Sequence, residues 1–337
     1  MIVANMFAET VEILCEQTID LASLSESVES CSTKFSPSIR SGSHTDVGCR
    51  KSNQDEHICI DDVSNTLGGS LYQWPLPTSF YAVFDGHGGS EASSYMKENA
   101  MKLFFLDSHL PQQTSDIDDL FLQQLEDSYC KAFLLADKAL ADECSISDYC
   151  GTTALTALIL GKHLIIANAG DCRAVLCRNG IAVQMSQDHT PVYLEEKIRV
   201  ESLGGYIKYG YLNGELAVTR ALGDWYMQSS SPLIATPDVI QKVLTEDDEF
   251  LIIACDGIWD VMSNQEAVGF VRQELRLYDD PNRCARQLVN KAFLRYSTDN
   301  LTAIVVCFSR RRPRPTFRCS LLTEDARDIL RNLLEGN

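Results

Sequence analysis

The sequence predicts an α+β fold with antiparallel sheets, and two observations carry that expectation. Short apolar runs with strand character recur at His57–Ile60, Phe80–Phe84, Ala154–Leu160, Leu164–Asn168, Ala174–Cys177, Phe250–Cys255 and Leu301–Phe308. Helical patterns sit in groups between some of these runs and do not alternate with them one for one, which disfavours a doubly wound parallel sheet. With 337 residues, 45% of them apolar, the chain has material for one large core or two ordinary ones.

In order along the chain, residues 1–36 read as a variable extension. Val3, Phe7, Val11 and Leu14 fall on one helical face there, and a Ser/Glu-rich segment follows over Leu24–Ser32. Pro37 and the turn-rich Arg40-Ser-Gly-Ser-His44 mark the start of a domain over 37–309. Helical patterns cover Ser90–Phe105, Asp116–Ala141, Leu194–Leu203, Ser263–Leu277 and Asn282–Arg295. Trp225–Pro237, rich in Ser and Pro, reads as a mobile flap where substrate choice resides. The last segment, 310–337, opens on the basic run Arg310–Arg314, a nuclear address, a phosphate-binding patch or a charged linker. Leu321–Leu334 then has the pattern of a short amphipathic helix.

Composition narrows the function classes. A net charge of −18 argues against nucleic acid as a general partner, because phosphate binding needs a basic footprint. It suits cations or basic peptide segments. No run of about 18 apolar residues is present, so no membrane-spanning helix is expected. The N-terminus lacks a basic region followed by an apolar block, which argues against secretion. The 13 cysteines are odd in number and form no Cys-x-x-Cys pair, and several, Cys172, Cys255 and Cys307 among them, sit in apolar runs. Reduced thiols in cytoplasm or nucleus are expected, without a disulfide scaffold or structural zinc.

The chemistry is concentrated where strands begin and end. Phe80–Phe84 stops abruptly on Asp85-Gly-His-Gly-Gly89, which aims a carboxylate, a carbonyl and an imidazole into one small space. The same theme recurs at Asn53-Gln-Asp55, Asn168-Ala-Gly-Asp171, Ala254-Cys-Asp-Gly257 and Thr298-Asp-Asn300. One Asp-Gly is only a turn signal, and independently capped loops would give such a series too. Repetition at strand termini instead points to carboxylates gathered at one edge of packed sheets. Clustered carboxylates repel and are costly to desolvate without a cation. Oxygen-only donors suit hard ions, Mg²⁺ or Mn²⁺.

In order and spelling these segments resemble the metal-dependent serine/threonine protein phosphatases of type 2C, plant members above all. The series runs from Gly48-Cys-Arg50 through Asp85–Gly89, Gly151-Thr-Thr-Ala154, Asn168–Arg173 and Asp188-His-Thr-Pro191. It continues with Leu216–Asp224, Ala254–Met262 and Asp299-Asn-Leu-Thr302, and it covers 37–309. The resemblance implies a β-sandwich of two antiparallel sheets flanked by helices, with the metal centre in a cleft between the sheets. It implies two cations per site and a weaker third. Asp85 would bridge the pair, with ligands from the Gly86 carbonyl, Asp256, Asp299 and Asp55, and Asp171 would serve the third with help from Asp260.

By the same resemblance, Arg50 binds the phosphate of phosphoserine or phosphothreonine proteins, and His87 is the general acid for the departing oxygen. A monomer is expected. Asp188-His189 fits a structural turn or, alternatively, a pair that orients the active-site loop by hydrogen bonding, and Arg220 anchors the following flap. Two departures stand out. Gln54 replaces a glutamate that often helps hold a metal through ordered water; an amide still accepts a hydrogen bond. Gly205–Leu216 holds three tyrosines but lacks the tryptophan of abscisic acid co-receptors, which argues against that route of inhibition. The rival reading is a catalytically weak phosphoprotein-binding module on the same fold; a third is a hydrolase of small phosphoesters.

Overall fold

The computed structural model describes residues 35–309 except 68–73, 75, 108–109, 112–116, 144 and 229–231. The helix expected within 1–36 and the basic run and helix of 310–337 lie outside the described residues.

Each apolar run becomes a strand, and the described strands in chain order begin with β1 (Arg40–Asp46), β2 (Glu56–Ile60), β3 (Thr78–Phe84) and the two-residue β4 (Gly86–His87). Next come β5 (Gly151–Thr152), β6 (Ala154–Leu160), β7 (His163–Ala169), β8 (Arg173–Arg178) and β9 (Ile181–Gln184). The series ends with β10 (Ile207–Lys208), β11 (Tyr211–Leu212), β12 (Leu222–Gly223), β13 (Asp238–Val243), β14 (Asp248–Ala254) and β15 (Leu301–Cys307). Ten of them form two antiparallel five-stranded sheets, ordered β1-β15-β14-β8-β9 and β13-β7-β6-β3-β2.

Central strands are apolar throughout because both faces are covered. On β3, Phe80, Ala82 and Phe84 join the cluster formed with helices Glu91–Lys102 and Asp119–Ala141, through Met96, Leu125 and Phe133. Alternation leaves Tyr81 and Val83 on the opposite face, toward the other sheet. On the other side of the sandwich, Val305 of β15 and Ile252 of β14 pack with Val268 and Leu288 of helices Asn264–Tyr278 and Pro281–Leu294. The helix starts carry their own signals. Asp118 and Asp280 accept hydrogen bonds from Phe121 N and Arg283 N, and Ser263 with Glu266 forms a capping box. Among the described residues no helix is long and apolar enough to cross a membrane, and nine cysteines are free.

The structure corrects one reading of the entrance to the fold. Arg40–His44 is no turn; it belongs to β1, which pairs with β15 from Arg40–Cys307 to Asp46–Leu301. Its polar residues suit an edge position. Gly42 is there for close approach: a Cβ would lie 2.2 Å from Asn282 N at the start of helix Pro281–Leu294. β9 and β13 are also edge strands that the apolar pattern did not mark. Within the stretch read as a flap, Trp225–Gln228 is a short helix.

Candidate metal centre

Strand register carries the acidic residues to one end of the sandwich. Glu56 pairs with Phe84, so Asp55, just before β2, and Asp85, just after β3, fall side by side. Ala254 pairs with Ala303, which brings Asp256, past β14, and Asp299, ahead of β15, to the same end of that sheet. Ala154 pairs with Ala169, so Asp171 lies by the start of β6. Thr153, at that same start, holds Asp85 by its backbone, with Thr153 N donating to Asp85 O at 2.9 Å. The result is two sets of donor atoms, each within 4.8 Å: Asp85, Asp171 and Asp256, and Asp55, Asp85 and Cys255. Asp85 is common to both.

The donor chemistry fits hard divalent cations. Asp55 Oδ1 and Asp256 Oδ1 are buried with no hydrogen-bond partner, a costly arrangement unless a cation faces them. Burial pushes the Asp55 carboxyl up to about 6, against the opposing bonds from Thr302 and Cys255. It pushes Asp171 up to about 7. Asp85 is held well above the usual carboxylate range by burial and then by the charges of Asp55, Asp256, Asp171 and Asp299. Burial and Asp171 do the same to Asp256. Cys255 is a poor ligand by comparison. Burial raises its thiol well above the ordinary range, and its sulfur already accepts from Thr302 N at 3.1 Å.

Asp299 belongs to neither set. Arg50 Nη2 lies 2.5 Å from its Oδ2, and Asn300 N donates to its Oδ1 at 2.7 Å. Its charge still raises Asp55, Asp85, Asp256 and Asp260, so it borders the cluster. Arg50 stands at the rim with its side chain 54% exposed and a second hand on Thr298 O at 3.1 Å. Gly86 follows Asp85 in a space only glycine fits, since a Cβ would lie 2.5 Å from Gln54 O. Gln54 itself is fixed by its backbone: its N donates to Asn300 Oδ1 at 2.8 Å and its O accepts from Ser93.

His87 has a partner that the sequence reading missed. Its Nε2 lies 2.6 Å from Oδ2 of Asp224, a buried carboxylate at the end of the Leu216–Asp224 segment. Gly151 lies beside the pair. A Cβ there would come within 2.1 Å of Asp224 Oδ2 and 2.4 Å of His87 Nε2. The only sequence signal for Asp224 was its place in that segment; nothing local ties it to a histidine 137 positions away.

Around this core, Asp188 is paired with Arg173, which also lies over Trp259, 5.3 Å from the ring centroid. His189 accepts Gly170 N at Nδ1 (3.2 Å) and meets Asp238 at Nε2 (3.0 Å), bracing the loop that carries Asp171. Arg220 is tied to Glu196 and Asp238. A cavity of about 360 Å³ opens beside the acidic set, lined by Asp171, Arg173, Tyr193, Asp256 and Asp260.

Two antiparallel sheets carry at one end an acidic cluster whose oxygen donors suit a divalent metal. The chain belongs to the Protein phosphatase 2C family, whose model matches residues 39–301. It is a serine/threonine phosphoprotein phosphatase of a family that depends on magnesium or manganese. The chain is similar to Probable protein phosphatase 2C 43 of Arabidopsis thaliana, 54% identical over 93% of this chain and 78% of that one. To Probable protein phosphatase 2C 47 of Oryza sativa subsp. japonica it is 59% identical over 82% and 71%. Among solved structures, a C. elegans sex determining protein is similar with a TM-score of 0.69 and 27% identity, over 81% of this chain and 65% of that one. The serine-threonine phosphatase 2C from Toxoplasma gondii shares the fold at 23% identity with a TM-score of 0.67, over 82% and 98%.

Proposed function

We propose that this chain hydrolyses phosphoserine and phosphothreonine in proteins with two divalent cations, Mg²⁺ or Mn²⁺, which Asp85 would help to hold. The observation that carries the reading is the membership of Asp85 in both donor sets. Asp55 supplies an uncommitted oxygen to one side, and Asp171 and Asp256 face the other. The Gly86 carbonyl and Asp299 complete the ligand set, Asp299 on release from Arg50. A weaker third cation belongs with Asp171 and Asp260. Such cations, when bound, lower the pKa of a water and make it a nucleophile at neutral pH.

The chain's own groups orient and move protons. Arg50 offers a planar guanidinium fork at the rim, matched to two phosphate oxygens. His87 donates a proton to the departing serine or threonine oxygen. Asp224 accepts a hydrogen bond from His87 Nε2–H, so the proton to be donated is the one on Nδ1. Residues 37–309 form the catalytic domain, which acts as a monomer in cytoplasm or nucleus, with 1–36 and 310–337 as appendages. Loss of nuclear signal on deleting Arg310–Arg314 would support targeting by the basic run; unchanged imaging would retire it.

Purified protein should release phosphate from a phosphoserine peptide with Mn²⁺ and lose that activity with chelator or in Asp85→Asn. A second reading, a phosphoprotein-binding module with little turnover, is motivated by Gln54. It predicts robust binding of the same peptide without metal-dependent phosphate release.

A further inference from the structure

We infer that the stacked rings of Tyr149 and Tyr226 form a platform for an arginine side chain lying close in sequence to the phosphorylated residue of the substrate. The inference rests on the phosphatase reading above and adds a substrate class to it.

The two rings stack with centroids 4.5 Å apart and planes 26° from parallel, and Tyr149 is 65% exposed. An aromatic pair with that much open surface serves recognition better than packing. Its place is fixed by the strands around the candidate acid. A Cβ on Gly88, the residue after His87, would lie 2.0 Å from Tyr149 O, and Cys150 Sγ donates to Gly88 O at 3.2 Å. On the other side, Asp224 N donates to Cys150 O at 3.1 Å and Tyr226 N to Asp148 O at 3.3 Å. The tyrosines therefore stand on the two segments that carry and flank the His87–Asp224 pair. An extended substrate advances about 3.3 Å per residue, so the side chains to compare are those a few positions from the phosphorylated one.

Charge selects the occupant. Glu91, Asp148 and Glu215 are exposed around the stack, and no basic side chain pairs with any of them among the described residues. Glu91 is held beside Cys150, its Oε2 3.5 Å from the sulfur. Burial, with Asp224 and Glu215 after it, raises the Tyr226 hydroxyl, which keeps the phenol neutral and the ring available. A guanidinium satisfies both demands at once: its flat face stacks on a phenol and its charge answers the carboxylates. The same geometry occurs within the chain, where Arg283 lies over Tyr278 at 3.7 Å. Lysine supplies the charge without the flat face, and an apolar residue supplies neither charge nor fork.

The test compares phosphoserine peptides that carry arginine, or its uncharged isostere citrulline, at one position from two to four residues either side of the phosphoserine. The wild-type protein should favour arginine at one of these positions by about tenfold in kcat/KM, the size expected of a partly desolvated cation–π contact with charge support. Tyr149→Ala should bring that ratio close to one, and Tyr149→Phe should keep it. Both peptides meet the same variant, so a general loss of folding or catalysis cancels in the ratio. A wild-type ratio of one at every position, or a ratio unmoved by Tyr149→Ala, overturns the platform while leaving the phosphatase intact. No release of phosphate from any peptide overturns the phosphatase reading and the platform with it.

Discussion

His87 Nε2 and Asp224 Oδ2 meet at 2.6 Å across the bare Cα of Gly151, which leaves no room for any side chain between them. A buried carboxylate with an imidazole partner fixes the ring and decides which nitrogen is left for chemistry. That contact is the part of the site most readily separated from metal binding.

Asp224→Asn and Gly151→Ala should therefore act alike. The first removes the charge that orients His87; the second drives a methyl group into the contact. Each should lower kcat on a phosphoserine peptide by roughly 10²-fold, the low end for losing a general acid. On p-nitrophenyl phosphate, whose leaving group needs no proton, the loss should be several-fold or less. Equal losses on both substrates would contradict the assignment of His87 to the leaving oxygen.

The acidic cluster also predicts how stability depends on pH and metal. With cations chelated, Asp55 titrates at about 6 and Asp171 at about 7, while the same groups in the unfolded chain titrate near 3.9. A raised folded pKa means that the native state holds protons the unfolded chain has released. Its stabilising contribution is full below about pH 4 and is lost as pH rises through 6 to 7. Bound cations replace those protons and reverse the trend. The rise in Tm on adding Mn²⁺ should accordingly grow between pH 5.5 and 7.5. Scanning calorimetry with and without chelator measures it, and a metal effect that shrinks over that range would contradict the account.

Gly42→Ala tests the strand at the edge of the first sheet. The added methyl would lie 2.2 Å from Asn282 N, so β1 and helix Pro281–Leu294 must separate. Overpacking of this kind costs about 1–3 kcal/mol. Urea unfolding should show a lowered midpoint with near-normal activity at low denaturant. An unchanged midpoint would mean that the helix is not seated on β1.

These residues also show what could be read in advance. Asp85, Asp171, Asp256 and Asp299 were legible because each terminates or precedes an apolar run, and apolar runs are the strongest strand signal. The α+β class with antiparallel sheets followed from the grouping of helices; the order of strands within each sheet did not. β1 was not legible: Arg-Ser-Gly-Ser-His-Thr-Asp carries turn chemistry locally, and only pairing with Leu301–Cys307 makes it a strand. β9 and β13 escaped for the same reason, since an edge strand needs little apolar content. The partnership of His87 with Asp224 has no sequence period at all, being produced where β4, β5 and β12 meet. Asp299 illustrates the reverse case. Its position was legible, but its hold on Arg50 is a matter of side-chain geometry that spacing does not encode.

The central claim is that Asp85 stands between two divalent cations. Crystals grown with Mn²⁺ and measured at the manganese absorption edge test it most directly. Two anomalous peaks flanking the Asp85 carboxylate, one toward Asp55 and one toward Asp171 and Asp256, are predicted. Density without an anomalous peak within coordination distance of Asp85 would contradict it.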